Sequence, residues 1–167
     1  MNNSSITLAN IRDRDQNNLG DGYLKFFVNP RTPAILSMKQ TQEAMVVSVE
    51  SVTAMPNMPF GILGLMNWRS SIVWVVDLPK ILNLQSPQNR PRQYSVIIVR
   101  TESMVLGLVV HEIIGTLRFN SDEIGSPVGQ VASSLVPYLR GCIVQEKEIL
   151  LVLDAHAIVH SSNLRSE

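Results

Sequence analysis

From Gly22 onward the sequence breaks into short apolar runs rich in Val, Ile and Leu, each ended by Pro, Gly, Asn or Ser within a few residues. Runs of this length are too short for most globular helices and rich in the branched side chains that suit a pleated, half-buried surface. We therefore read "YLKFFV", "PAILSM", "AMVVSV", "SIVWVVDL", "YSVIIVR", "MVLGLVV", "IIGTLRF", "RGCIVQ" and "ILLVLD" as strands, which makes the chain all-β with short helices. In "SIVWVVDL", Ile72, Trp74 and Val76 share one face, and Ser71, Val73, Val75 and Asp77 share the other. Both faces are largely apolar, so this strand is expected to be buried on two sides.

One unit occurs twice. "GLMNWRSSIVWVVD" runs from Gly64 to Asp77 and "GCIVQEKEILLVLD" from Gly141 to Asp154, with the same spacing from glycine to aspartate. Each reads as strand, tight turn, strand, aspartate and short helix. The aspartate is placed to accept from the free amides of the first helical turn, and Pro79 falls in that turn, where a missing donor costs little. A repeat of this period predicts two related lobes, each a small barrel, with "NLQSPQNRPRQ" as the first connection between them. The register sets Arg69 and Ser70 against Glu146 and Lys147, a pair typical of an exposed turn, so Arg69 is expected at a solvated hairpin tip.

At 167 residues the chain suits one domain, burying roughly 70% of its unfolded surface. Hydrophobic residues make up 45% of it and charged residues 17%, far from a disordered composition. Fourteen basic side chains balance fourteen acidic ones, so no global field draws the protein to nucleic acid or to an anionic membrane. Arg90 and Arg92 in "QNRPRQY" are read as a solvated loop. The single cysteine, Cys142, excludes an internal disulfide, fits a reducing compartment and is expected as a small buried hydrophobe. The start of the sequence lacks the form of a signal peptide, and no run approaches the ~18 apolar residues of a membrane span. A cytosolic protein is expected, with a flexible arm at 1–21, a domain at 22–160 and a flexible tail at 161–167.

Motifs of catalysis are missing. No phosphate loop or nucleophile elbow occurs, and Cys142 has no histidine in a nucleophile context. His156 and His160 stand at helical i, i+4 spacing, but a metal site needs a third ligand, and the helix dipole gives a simpler account of His160. His111 beside Glu112 has no nearby nucleophile. An alternative reading as a small acid–base or metal-dependent enzyme would have to draw on His111, Glu112, Asp154 and His156. The segment Asn120–Leu139 reads as a long loop with a turn of helix. Arg69 and Trp68 stand apart, because arginine and tryptophan are the side chains most enriched at the energetic centres of protein interfaces.

The stretch "GILGLMNWRSSIVWVVDLPKILNL" resembles the CheW family, adaptors that couple chemoreceptors to a histidine kinase. The family pattern of glycine, apolar residues, Asn-Leu-Arg-Gly, an apolar strand and Asp-Leu is met here by Gly64, Asn67, Trp68, Arg69, Ser70, Asp77 and Leu78. "GYLKFFVN", "KQTQEAM", "SVTAMPNMP", "VLGLVVHEIIGTLRF" and "YLRGCIVQEKEILLVLDAHAIV" are similar to further landmarks in the same order, over about residues 22–160. The resemblance implies two five-stranded barrels around a common core, no catalysis, no cofactor and no metal. It implies as partners the regulatory domain of a CheA-type kinase and the cytoplasmic tip of a methyl-accepting chemoreceptor, the latter held between the barrels. It further implies a monomer when isolated, no nucleic acid and no direct membrane insertion, in the cytoplasm at membrane-associated receptor arrays serving flagellar chemotaxis, type IV pilus motility or phototaxis.

By position Arg69 corresponds to the family's hairpin arginine, with Asn67 and Gly64 shaping the same region and Glu43 matching a kinase-facing glutamate at a longer spacing than usual. Trp68 stands where the family has leucine, Ser70 where it has the turn glycine, and His111 where it has aspartate. A serine at a position needing positive φ costs about 1 kcal/mol relative to glycine, so a different turn type is expected.

Overall fold

The computed structural model describes residues 20–86 and 91–164. Its ten strands form two five-stranded sheets joined through a common apolar layer. The strands are β1 (Asp21–Phe27), β2 (Pro33–Ser37), β3 (Thr41–Ser48), β4 (Ile62–Trp68), β5 (Ser71–Asp77), β6 (Gln93–Arg100), β7 (Val105–Val110), β8 (Glu112–Phe119), β9 (Leu139–Val144) and β10 (Ile149–Leu153). Two short helices, α1 (Leu78–Ile81) and α2 (Ala155–Val159), follow β5 and β10. One sheet runs β8-β1-β2-β10-β9 and the other β3-β6-β7-β5-β4.

The two orders match element by element. In each sheet three neighbouring pairs are antiparallel and one is parallel: β2 with β10 in the first, β7 with β5 in the second. The repeat therefore covers all ten strands and both helices of the described residues, with β1 to α1 matching β6 to α2. The lobes are not the two halves, however. The first half contributes β1 and β2 to one sheet and β3, β4 and β5 to the other, and the second half does the converse. The segment "NLQSPQNRPRQ" accordingly joins β5 and β6 of the same sheet and connects halves rather than lobes. Arg92 there is exposed, and Arg90 lies outside the described residues.

Strand alternation builds three apolar layers. On β6, Val96 and Ile98 point into their own lobe, while Ile97 and Val99 point into the shared core. On β10, Leu150 and Val152 fill the other lobe, and Leu151 and Leu153 join the shared core. Leu78, Ile81 and Leu82 of the α1 region and Ala155, Ile158 and Val159 of α2 complete that core. Neither sheet pairs its two edge strands by backbone hydrogen bonds, so each lobe is a curled sheet closed by side chains, short of a fully bonded barrel.

The repeated glycines have one physical cause. Thr53 pairs with Leu65 of edge strand β4, and Gly125 pairs with Cys142 of edge strand β9. A Cβ on Gly64 would lie 2.2 Å from the Thr53 carbonyl oxygen, and one on Gly141 would lie 2.6 Å from that of Gly125. Each glycine lets a loop backbone cover an edge that would otherwise present unpaired groups. Before each bridge a single turn of 3₁₀ helix occurs, Val49–Ser51 in the first half and Ser121–Glu123 in the second.

The aspartates at the ends of the two units differ. Asp154 accepts from the amides of His156 (3.0 Å) and Ala157 (3.4 Å), as expected of a cap. Asp77 takes the N-cap position of α1 without a side-chain cap hydrogen bond, which corrects the expectation that both aspartates cap. Burial raises its carboxyl above the usual range, and the Lys80 ammonium and amide pull the other way. Tyr94 is pushed up by its own burial and then by the charge of Asp77.

Cys142 is buried, with its thiol directed at the Ser126 carbonyl. The segment Asn120–Leu139 is pinned by the Gly125 bridge, and its Val131 and Leu135 pack on the shared core. Ser162–Leu164 form a turn, with Asn163 Nδ2 donating to the Ile81 carbonyl at 2.9 Å. No helix among the described residues is long and apolar enough to cross a membrane.

Candidate functional site

The β4–β5 hairpin has Trp68 opposite Ser71 and only Arg69 and Ser70 in the loop. Their φ angles are +48° and +65°, the pair of positive values that marks a type I′ turn. The turn is thus the one that suits a twisted two-residue hairpin, and the serine adopts the left-handed conformation rather than forcing another turn type. In the second half Gln145 donates to the Glu148 carbonyl at 2.8 Å, with Glu146 and Lys147 at the tip, and no non-glycine residue there has a positive φ.

Trp68 turns inward. It packs with Met45, Met66, Val73 and Val75 in the lobe interior and is 7% exposed. Its Nε1 donates to Glu43 Oε1 at 3.0 Å. Glu43 lies on β3, at the opposite edge of the same sheet, so this bond spans the opening left between the edge strands. Arg69 Nη2 lies 3.3 Å from the same Oε1, and the guanidinium sits 4.8 Å from the centroid of the Trp68 ring. The Arg69 side chain is 64% exposed and that of Glu43 13%. A cation over an aromatic face and a charge-assisted contact together hold a long side chain at the surface.

Of the residues expected at the site, Arg69, Ser70 and Asn67 are exposed at the tip, and Glu43 reaches it from β3. Trp68 is buried beneath the tip, and Gly64 is buried further down β4, opposite Val75 and against the Thr53 backbone. Sequence reasoning missed Ile72, which stands opposite Asn67 on the outward face and is 66% exposed. Its place on the alternate face of "SIVWVVD", together with the tip register, was the available signal. On the same face Trp74 and Val76 lead away from the tip into an apolar groove of about 270 Å³, lined also by Met58, Pro59, Leu106 and Val159. The groove opens where α2 meets the outer face of the β5–β7 sheet, at the margin of the shared core. Beside it Phe60 is exposed, with Lys80 Nζ 5.4 Å from its ring centroid. Nothing in the sequence joined the loop Met58–Phe60 to Val159.

The histidines do not converge. His111 is exposed at the corner between β7 and β8, where its amide donates to the Phe27 carbonyl at 2.9 Å. His156 and His160 stack with ring centroids 4.2 Å apart, and His160 Nδ1 lies 2.9 Å from the His156 carbonyl oxygen. Asp154 is engaged as a cap. Among the described residues no three of His, Cys, Asp and Glu form a group that could hold a metal ion.

A family model for the CheW-like domain matches residues 22–163. The chemotaxis protein CheW of Treponema pallidum (strain Nichols) is 25% identical over 123 residues, covering 72% of this chain and 72% of its own length. The chemotaxis protein CheW of Thermotoga maritima is 23% identical over 121 residues, covering 72% and 78%. That of Bacillus subtilis (strain 168) is 25% identical over 147 residues, covering 88% and 92%. Among solved structures, the scaffolding protein TtCheW from Thermoanaerobacter tengcongensis shares the fold, with a TM-score of 0.74 at 19% identity over 87% of this chain and 96% of that one. With the family pattern spanning nearly its whole length and two matching five-stranded lobes around one core, the chain belongs to the CheW-like family of non-catalytic chemotaxis adaptors.

Proposed function

We propose that this protein bridges the regulatory domain of a CheA-type histidine kinase and the cytoplasmic tip of a methyl-accepting chemoreceptor, in the cytoplasm at a receptor array. The observation that carries this reading is the Arg69 tip. An exposed guanidinium is fixed between Glu43 and Trp68 on a two-residue hairpin, beside exposed Ile72. A charged group with little freedom left to lose, next to an apolar side chain, is the arrangement expected at the centre of an interface. The groove lined by Trp74, Val76 and Val159 is too small for most ligand sites but takes one or two apolar side chains, as an amphipathic receptor helix would present.

Titration of the protein against the purified kinase regulatory domain, with and without a receptor-tip fragment, tests this. Saturable binding by wild type is expected, weakened about thirtyfold or more by Arg69→Glu. Unchanged binding of both partners by a folded Arg69→Glu protein refutes the placement of the site. Swimming and twitching assays on a deletion strain decide between flagellar and type IV pilus pathways.

A further inference from the structure

Resting on that reading, we infer that Trp68 is a positioning residue which lets Arg69 pass from Glu43 to a carboxylate of the partner. A single oxygen, Glu43 Oε1, takes both the indole N–H at 3.0 Å and the guanidinium at 3.3 Å. Glu43 is nearly buried while Arg69 is largely exposed, so the arginine is the member of the pair that can leave. Stripping a buried carboxylate of a donor is costly, and a donor that stays behind lowers that cost. The indole is that donor, because its ring is packed among Met45, Met66 and Val73 and does not move with the loop. The same ring lies under the guanidinium, and its attraction for a cation does not depend on which carboxylate the cation faces. A leucine at this position, as the family pattern has it, supplies neither the donor nor the π face.

The partner surface that fits is therefore an aspartate or glutamate bordered by an apolar side chain. The carboxylate takes the outward N–H groups of Arg69, and the apolar group covers Ile72, which is 66% exposed.

The experiment uses the full chain and the purified kinase regulatory domain. Trp68→Phe keeps the ring and loses the N–H, and binding is expected to weaken roughly tenfold. Trp68→Leu loses both and weakens it further. Adding Glu43→Gln to Trp68→Leu removes the charge that competes for Arg69, so affinity recovers by several-fold, a rescue that a purely structural role for Trp68 would not give. In ¹⁵N spectra of the isolated protein, the Trp68 indole resonance is expected to stay near its place in Arg69→Ala and to move in Glu43→Gln. Wild-type affinity in folded Trp68→Phe, or no recovery in the double variant, overturns the inference while leaving the adaptor reading intact. Absence of binding by folded wild type overturns the adaptor reading and this inference with it.

Discussion

Ser70→Gly isolates the cost of the hairpin's conformation. Ser70 sits at φ +65°, where the Cβ of an L-residue crowds the following carbonyl at a cost of about 1–2 kcal/mol, and glycine escapes it. Glycine's freer unfolded chain returns about 0.5–1 kcal/mol of that gain. The net expectation is a stabilisation of about 0.5–1 kcal/mol. In a chain of this size it appears as a rise in Tm of roughly 1–4 °C in calorimetry, and as a shift of the urea midpoint with unchanged slope. Ser71→Gly is the control, because Ser71 begins strand β5 and lacks positive φ. There glycine brings only its entropic cost, so the sign should reverse. If Ser70→Gly leaves stability unchanged or lowers it, or if both substitutions act alike, the left-handed strain assigned to this turn is wrong.

The two repeated glycines should respond together. Gly64→Ala and Gly141→Ala each drive a Cβ into a loop carbonyl, so both should cost about 3 kcal/mol or more in chemical denaturation, with the covering loop released to hydrogen exchange. Asp77 has a folded pKa above its unfolded value, so the native state binds the extra proton first. Its contribution to stability rises as pH falls from the raised folded pKa towards 3.8 and is constant below both; Asp77→Asn should flatten that part of the stability profile. Ile72→Asp should leave Tm within about 1 °C, since the side chain is exposed, yet abolish measurable binding to the kinase domain or the receptor fragment. Lys25→Met breaks the 2.8 Å pair with Glu148 at the second hairpin and should cost no more than about 1 kcal/mol.

The strands and hairpins could be read from the sequence because their signals are local: alternation within a run, and turn residues between runs. The aspartate at the end of each unit was equally visible, but its hydrogen bonds were not. Whether the carboxylate bonds to the free amides of its own helix depends on the lobe around it. Pairing across the sheet is set by which apolar faces meet, and nothing near β3 announces that it lies beside β6. Glu43 was recognisable only by position in the family pattern. That its carboxylate meets both Trp68 and Arg69 follows from the curl of a sheet whose edges lie far apart in sequence. The groove was hidden for the same reason, being made where α2 from the second half lies against β5 from the first.

Because each sheet borrows strands from both halves, neither lobe has a separate existence as a folding unit. A chain cleaved in the segment joining α1 to β6 would give two fragments, each with one strand, β3 or β8, whose only sheet neighbour lies in the other. The fragments should be largely unstructured alone and assemble on mixing, with folding slowed by the long sequence separations that must close. An adaptor built in this way cannot loosen one lobe while keeping the other firm. A strain applied to one sheet is carried into the other, through covalent backbone as well as through packing.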